Sequence, residues 1–308
     1  MGARIFIDGQ AGTTGLGIAK RLAAIPEIAL ASLPEEQRKD PAAKADLLRQ
    51  VDLVILCLPD AAAKETVTLA AGLGNAAPRI LDASSAHRVA EGWVYGFPEL
   101  AEEQGDKIRS ATRVSNPGCY ATGAIALLRP LVDAGLVSAD YPITINAVSG
   151  YTGRGRSYIS YYESEDAPPF ELYALGLEHK HVPEIMTYSR LARRPIFVPS
   201  VGKFAQGMLV SIPLFVDELP ARPKPADLSA ALAAHYAGSP FVRIVPADSA
   251  ERVEPQALNG SNNLELRVFG NEARGHAVLV AKLDNLGKGA SGAAVQNLGL
   301  MLGLDVTP

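Results

Sequence analysis

A short apolar run, Ile5-Phe6-Ile7-Asp8, passes directly into Gly9-Gln10-Ala11-Gly12-Thr13-Thr14-Gly15 and then into a helical pattern. This junction constrains the fold more than any other feature of the chain. A strand that turns sharply into a helix aims unpaired backbone N–H groups and the positive helix end at an anion. Glycines at 9, 12 and 15 form G-x-x-G-x-x-G, a variant of the dinucleotide fingerprint. Glycine suits positions where a side chain would hold a phosphate away, and Thr13 and Thr14 add hydroxyl donors. A glycine-rich turn that binds nothing is the competing reading. The strand before it and the helix after it weigh against that.

The same alternation continues to about residue 85. Apolar runs recur around Ile28–Leu30, at Asp52–Leu58 and at Arg79–Asp82, separated by Ala-rich helical stretches at Leu16–Ala24, Ala42–Gln50 and Ala61–Leu73. Strands alternating with helices of this length read as βαβ units around a parallel sheet. The run after Asp52 is continuously apolar, as befits a strand covered on both faces. Past Ala121 the texture changes. Residues 142–149 and 207–216 are long strand-like runs, and Leu264, Leu266 and Val268 alternate with Asn263, Glu265 and Arg267. That period of two marks a sheet with one wet face. Helical stretches lie near Pro183–Arg193 and Ala226–Ala237, with Pro-containing loops at 167–169, 220–225 and 238–240. The expected architecture is α/β: a Rossmann-type dinucleotide-binding domain over 1–119 plus 287–308, with an α+β substrate and oligomerisation domain inserted at 120–286. A final helix, Gly289–Leu304, is expected to return to the first domain.

Composition enters through what it excludes. With 48% hydrophobic and 20% charged residues, the 308-residue chain can bury real cores and is not disordered. A formal charge of −4, with both signs mixed, argues against nucleic acid or an anionic membrane as a partner. No apolar stretch is long enough for a span, and the chain opens on a strand without a basic leader, so the expectation is a cytoplasmic protein. The exposed sheet of the second domain points to a homodimer or homotetramer.

The nucleotide's identity depends on the end of the second strand, where an acidic residue would hold the ribose diol of NAD. Leu30-Ala31-Ser32 stands there, followed by Arg38 and Lys39. A hydroxyl and two cations suit a 2′-phosphate, so NADP(H) is the expected cofactor, although Glu35 and Glu36 allow a solvated charged loop.

Two cysteines make no disulfide framework, and no Cys-x-x-Cys exists for zinc, so no metal is expected. Cys57 lies in an apolar strand and reads as a small buried hydrophobe. Cys119 follows Asn116-Pro117-Gly118 and opens a helical run, where a Pro-Gly turn exposes the thiol and the macrodipole favours thiolate. Of the histidines, His235 and His276 read as structural, and His87 lies in a loop after a strand. His179-Lys180-His181-Val182-Pro183-Glu184 places two imidazoles just before a helix. A metal reading lacks a third ligand, so a Cys/His nucleophile–base pair is the sharper hypothesis.

Taken in order along the chain, these blocks resemble the N-acetyl-gamma-glutamyl-phosphate reductase family in its shorter branch. The resemblance rests on Ile5–Gly15, Cys57-Leu58-Pro59-Asp60, Asp82–Arg88, Asn116-Pro117-Gly118-Cys119-Tyr120, Asn146–Gly150, His179–Glu184 and Asp284-Asn285-Leu286-Gly287-Lys288-Gly289 through Asn297. It implies an NADPH-dependent reduction of a small-molecule acyl phosphate to its aldehyde, in arginine biosynthesis, through a cysteine thioester. Cys119 would be the nucleophile and His181 the acid/base, although the motif leaves open which imidazole does which job. His179, Arg88, Asn116 and Gly150 would line the substrate site. Gly9, Gly12, Thr13, Thr14 and Gly15 would hold the pyrophosphate, and Leu58, Pro59 and Asn285 would flank the nicotinamide; Ser32 and Arg38 at the ribose phosphate come from the strand-end reading above. The longer branch carries Arg where this chain has Lys180. The rival readings are aspartate-semialdehyde dehydrogenase, against which the histidine block argues, and a non-catalytic NADP-binding sensor, which leaves Cys119 and that block without a purpose.

Overall fold

The structure, a computed structural model, describes residues 2–247 and 252–306. It divides into two compact units, one comprising residues up to Pro98, Glu103–Pro117 and Ala290 onward, the other Glu99–Glu102 and Gly118–Gly289. The sequence reading sets the boundaries at 119/120 and 286/287. In the structure Glu99–Glu102, Gly118, Cys119 and residues 287–289 fall in the second unit.

The first unit is built from β1 (Ala3–Asp8), α1 (Thr13–Leu22), β2 (Ile28–Ala31), α2 (Pro41–Leu48), β3 (Leu53–Leu56), α3 (Asp60–Ala71), β4 (Arg79–Asp82), β5 (Val94–Tyr95), α4 (Gln104–Ser110), β6 (Arg113–Ser115) and the last helix, Gly292–Leu302. Its sheet runs β2-β1-β3-β4-β6-β5, every pair parallel. Strand order reverses beside β1, which opens a crevice at the carboxyl ends of β1 and β3. The pleat decides which residues go where. Ile5, Ile7, Leu53 and Ile55 face Ile18, Leu22, Val295 and Leu298, whereas Phe6, Val54 and Leu56 face Leu47, Leu48 and Ala63. The apolar run at 52–58 gives the sheet only Leu53–Leu56. Asp52 leaves it, accepting from the Arg4 N–H at 2.7 Å.

The second unit contains α5 (Cys119–Asp133), β7 (Thr144–Gly150), α6 (Arg156–Tyr162), β8 (Phe170–Leu172), α7 (Val182–Ser189), β9 (Ile196–Gly202), β10 (Met208–Phe215), α8 (Pro225–His235), β11 (Val242–Ile244), β12 (Leu264–Asn271) and β13 (His276–Leu283). Pro225, expected in a loop, instead starts α8, where its missing N–H costs nothing. The mixed sheet runs β11-β12-β13-β10-β7-β9-β8. Helix α5 is buried from Tyr120 through Leu131, and a Cβ on Gly123 would stand 2.8 Å from Val210, so glycine there lets the helix lie close against the sheet. The opposite face alternates as the sequence suggests, but much of it is apolar. Leu209, Val280, Pro213, Val278 and Phe269 occupy neighbouring rows beside Glu265, Arg267 and Lys282. Phe215 is 56% exposed and Ile196 51%.

The helix expected over Gly289–Leu304 is shorter at both ends. Residues Gly287–Ser291 wind as a π turn, with the Gly289 N–H reaching the Asp284 carbonyl five residues back at 3.0 Å. At the other end Gly303 adopts φ 67°, and the Leu304 N–H bonds Gly299 O at 2.9 Å, which closes the helix in a left-handed cap.

Candidate active site

In the first unit, the turn after β1 uses its glycines for different reasons. Gly9 sits at φ 88°, and a Cβ there would approach Cys57 O to 2.3 Å. A Cβ on Gly15 would meet Gln10 Cα at 2.7 Å, so this glycine lets α1 pack on its own turn. Gly12, the N-cap, is different: its Cβ direction is open save for Gly9 O at 3.5 Å. Only Gly12 leaves room for a ligand at the helix end. Thr13 Oγ1 is buried there without a hydrogen-bond partner, an unmet donor beside unpaired first-turn N–H groups. A cavity of about 990 Å³ is lined by Gly9, Gln10, Ala11, Ser32, Arg38, Lys39, Lys64 and Leu58, while Gly12, Thr13, Thr14 and Gly15 are not part of its lining. An anionic dinucleotide therefore fits the residues present. Pro59 lies outside that lining, as the exposed N-cap of α3. Sequence reasoning missed Lys44 and Lys64. Lys44 is committed to Asp8 at 2.7 Å, and Lys64 also lines the cavity.

The loop after β4 carries Arg88. Asp82, fully buried, accepts from the Ser84 N–H and hydroxyl, both at 2.8 Å, and holds His87 Nδ1 at 2.6 Å. His87 also stacks on Trp93 with centroids 4.3 Å apart. The loop so braced buries Arg88, whose Nε donates to Asn116 O at 3.0 Å. The Asn116 side chain is itself engaged, donating to Ala290 O and accepting from Asn297, each at 3.0 Å. Arg88 and Asn116 thus meet through the Asn116 carbonyl, and the Asn116 amide fixes the segment leading to the cysteine.

In the second unit, Cys119 is the first residue of α5, behind the N-cap Gly118. Its N-terminal position and partial exposure put the thiol at the positive end of a buried helix. The buried Glu184, in the first turn of α7, accepts from the Gly118 N–H at 3.1 Å. His181 is the N-cap of that same helix and only 5% exposed. One carboxylate therefore ties the cysteine turn to the histidine helix. The His181 N–H donates to His179 Nδ1 at 3.1 Å, and the two rings meet edge to face at 4.7 Å. An imidazole accepting at Nδ1 carries its proton on Nε2 and is neutral. The Tyr120 ring lies 5.9 Å from both imidazoles, and its hydroxyl donates to Ser200 O at 2.9 Å. Behind the thiol stands Gly289 of the π turn, where an added Cβ would reach 2.8 Å from Cys119 Cβ.

Gly150 and Asn285 shape this unit rather than present a free group. A Cβ on Gly150 would strike Ala205 O at 2.5 Å. Asn285 accepts from the Gly207 N–H at 2.8 Å and donates to Thr152 Oγ1 at 3.0 Å. The buried pair Lys288–Glu99, at 2.7 Å, was invisible to sequence reasoning. Cys57, expected inside the strand, follows the end of β3 and is partly exposed as a residue, yet burial first, and then the charges of Asp82 and Asp8, push its thiol up to about 12. Among the described residues no group of three His, Cys, Asp or Glu is placed to hold a metal ion, and no helix is long and apolar enough to cross a membrane.

The models of the semialdehyde dehydrogenase NAD binding domain and the semialdehyde dehydrogenase dimerisation domain match residues 4–108 and 119–285. Solved aspartate semialdehyde dehydrogenases from Vibrio cholerae and Francisella tularensis share the fold, each at a TM-score of 0.74 with 16% and 11% identity. They cover 98% and 97% of this chain and 99% and 100% of their own. The class is that of the semialdehyde dehydrogenases. Within it, N-acetyl-gamma-glutamyl-phosphate reductases from Chelativorans sp. (strain BNC1) and Burkholderia cenocepacia are 55% and 54% identical to the chain, over 98% and 97% of it and 99% and 97% of their own lengths. The chain belongs to the N-acetyl-gamma-glutamyl-phosphate reductase family.

Proposed function

We propose that this protein reduces N-acetyl-L-glutamyl 5-phosphate to the 5-semialdehyde and inorganic phosphate, a step of arginine biosynthesis, with Cys119 as the nucleophile. The observation that carries the reading is a half-exposed thiol at the head of α5, its turn tied by Glu184 to the helix that His181 caps.

The residues then divide the chemistry. Cys119 thiolate attacks the acyl carbon, forming a C–S bond as the C–O bond to phosphate breaks, and the electron pair leaves with phosphate. An acyl phosphate is activated enough that no Lewis acid is required. The first-turn N–H groups of α5 stand as donors for the oxyanion of the tetrahedral intermediate. Gly9, Gly12, Thr13, Thr14 and Gly15 would hold NADPH, with Ser32 and Arg38 at its 2′-phosphate, and the bound cofactor would supply the hydride for reduction of the thioester. His181 delivers a proton to the resulting hemithioacetal oxygen and takes it back as the C–S bond breaks, which restores thiolate and frees the aldehyde. His179 is assigned the binding role because its Nδ1 accepts from the His181 N–H and its ring stands edge-on to that of His181. Arg88, held by Asn116 O, is the fixed cationic fork for the departing phosphate. Leu58, Pro59 and Asn285 are assigned to the nicotinamide end, and Gly150 to the shape of the acyl pocket. The protein works in the cytoplasm as a homodimer or homotetramer, with the uncovered face of the second unit's sheet as the interface.

The direct test is NADPH oxidation with N-acetylglutamyl phosphate against aspartyl phosphate. The latter is shorter and brings an ammonium group where the former has a neutral acetamide. Desolvating that charge without a partner predicts at least a hundredfold lower kcat/KM for aspartyl phosphate. Equal values, or a preference for aspartyl phosphate, would reject the assignment.

A further inference from the structure

Arg154 belongs to none of the roles above, yet its surroundings are those of a ligand-binding arginine. It ends the short turn Tyr151–Arg154 between β7 and α6, just before Gly155 at φ 91°. The backbone of that turn is fixed along its length. Gly150, Tyr151 and Thr152 donate their N–H groups to Gly207, Phe204 and Ala205 at 2.9, 3.0 and 3.2 Å, and Asn285 binds the Thr152 hydroxyl. From this rigid base the guanidinium lies 3.8 Å over the Tyr158 ring and 4.2 Å over the Tyr173 ring. Its Nη2 donates to Tyr158 OH at 2.9 Å, and its Nη1 meets Glu171 Oε1 at 3.2 Å. The Glu171 contact is end-on through one nitrogen, and that same oxygen accepts from Tyr162 OH. A guanidinium carries five N–H donors. Glu171 and Tyr158 therefore occupy only part of a fork whose faces are already covered by aromatic rings, and its side chain keeps 21% exposure.

Tyr173 connects this arginine to the thiol site. Its ring stands edge-on to His179 at 5.8 Å. Burial pushes its phenol up to about 12, and both the Cys119 charge and the Arg154 charge act on it. One tyrosine thus lies within electrostatic reach of the nucleophile on one side and under the guanidinium on the other. In the proposed substrate the α-carboxylate lies roughly 5 Å from the reacting carbon when the chain is extended.

We infer that Arg154 receives the α-carboxylate of the acyl substrate, with Tyr173 and Tyr158 holding the guanidinium in place, so that it selects acyl groups bearing a second carboxylate. The inference rests on the reading of Cys119 as nucleophile. Glu171 sets the orientation of the fork and keeps the charge compensated before substrate arrives. A planar fork fixed between rings recognises a carboxylate by geometry as well as by charge, which a lysine ammonium would not do.

The test uses two aldehydes in the reverse, NADP- and phosphate-dependent oxidation. N-acetylglutamate semialdehyde carries the carboxylate, and 4-acetamidobutanal is the same chain without it. Arg154→Met should lower kcat/KM for the first about a hundredfold and leave the second within about twofold, so that the variant loses the discrimination the native enzyme shows. Arg154→Lys should fall between, and it takes the place of Arg154→Met if the latter does not fold. An equal loss on both aldehydes would mean that Arg154 only supports the turn, and no loss on either would mean that the carboxylate binds elsewhere; both overturn the inference. Iodoacetamide labelling of Cys119 in the same variants separates this from the underlying reading. Unchanged labelling places the defect at Arg154, whereas turnover that persists after Cys119 is alkylated would remove the nucleophile assignment itself.

Discussion

Replacing Cys119 with alanine is expected to lower turnover at least about 10⁴-fold, because the substitution removes the atom that carries the acyl group through the reaction. NADPH binding should be unchanged, since the glycine turn, Ser32 and Arg38 assigned to its phosphates lie in the other unit. The companion result concerns selectivity. With its thiol pushed up to about 12, Cys57 is ionised to roughly one part in ten thousand at pH 8, so iodoacetamide should modify Cys119 almost exclusively in the folded protein. Acyl phosphate should protect Cys119. Peptide mapping that finds Cys57 labelled first, or an alanine variant with native turnover, contradicts the assignment.

The second large effect is on stability. Lys288 is 1% exposed, in the π turn behind Cys119, and its Nζ meets Glu99 at 2.7 Å. Burial pulls its pKa below the ordinary lysine value, and the attraction of Glu99 opposes that shift. Removing one partner of such a pair strands the other charge away from water, so Lys288→Met should cost about 3–5 kcal/mol of unfolding free energy. Replacing both residues, as in Lys288→Met with Glu99→Leu, should recover most of the loss, because no charge is left unpaired. Urea unfolding of the three proteins measures this. A single-variant loss below about 1 kcal/mol would show that the pair does not hold the turn.

Much of the first unit was legible because local pattern and tertiary role coincide there. The all-apolar Leu53–Leu56 segment is a strand covered on both faces, and the glycine turn lies where a strand hands over to a helix. Cys119 was legible for a similar reason: Pro117-Gly118 must end one element, so the residue after it opens the next. The alternation at Leu264–Val268 announced a sheet with one uncovered face, though not how apolar that face would be. What the sequence hid depends on distant partners. The π winding at Gly287–Ser291 answers to the close approach of Gly289 to Cys119, a contact no local propensity encodes. Lys288 reads as a surface lysine until Glu99, far away in the chain, is placed against it. The amides of Asn116 and Asn285 look like ligand-binding groups in a motif, yet both are spent on the protein's own backbone and side chains. Glu184 stands in the histidine block, but nothing in its neighbours announces that it holds the Gly118 N–H.

The central claim is that the thioester on Cys119 is resolved by phosphate, and the reverse reaction tests it most directly. In that direction Cys119 adds to N-acetylglutamate semialdehyde, hydride leaves to NADP, and the thioester waits for an acceptor. With Arg88 as the oxyanion fork, oxidation should be saturable in phosphate and sustained by arsenate, which should carry it further because the acyl arsenate hydrolyses. Arg88→Ala should raise the apparent KM for phosphate more than that for NADP. Full-rate turnover in phosphate-free buffer, with free N-acetylglutamate as the product, would mean that water is the acceptor and would contradict the account.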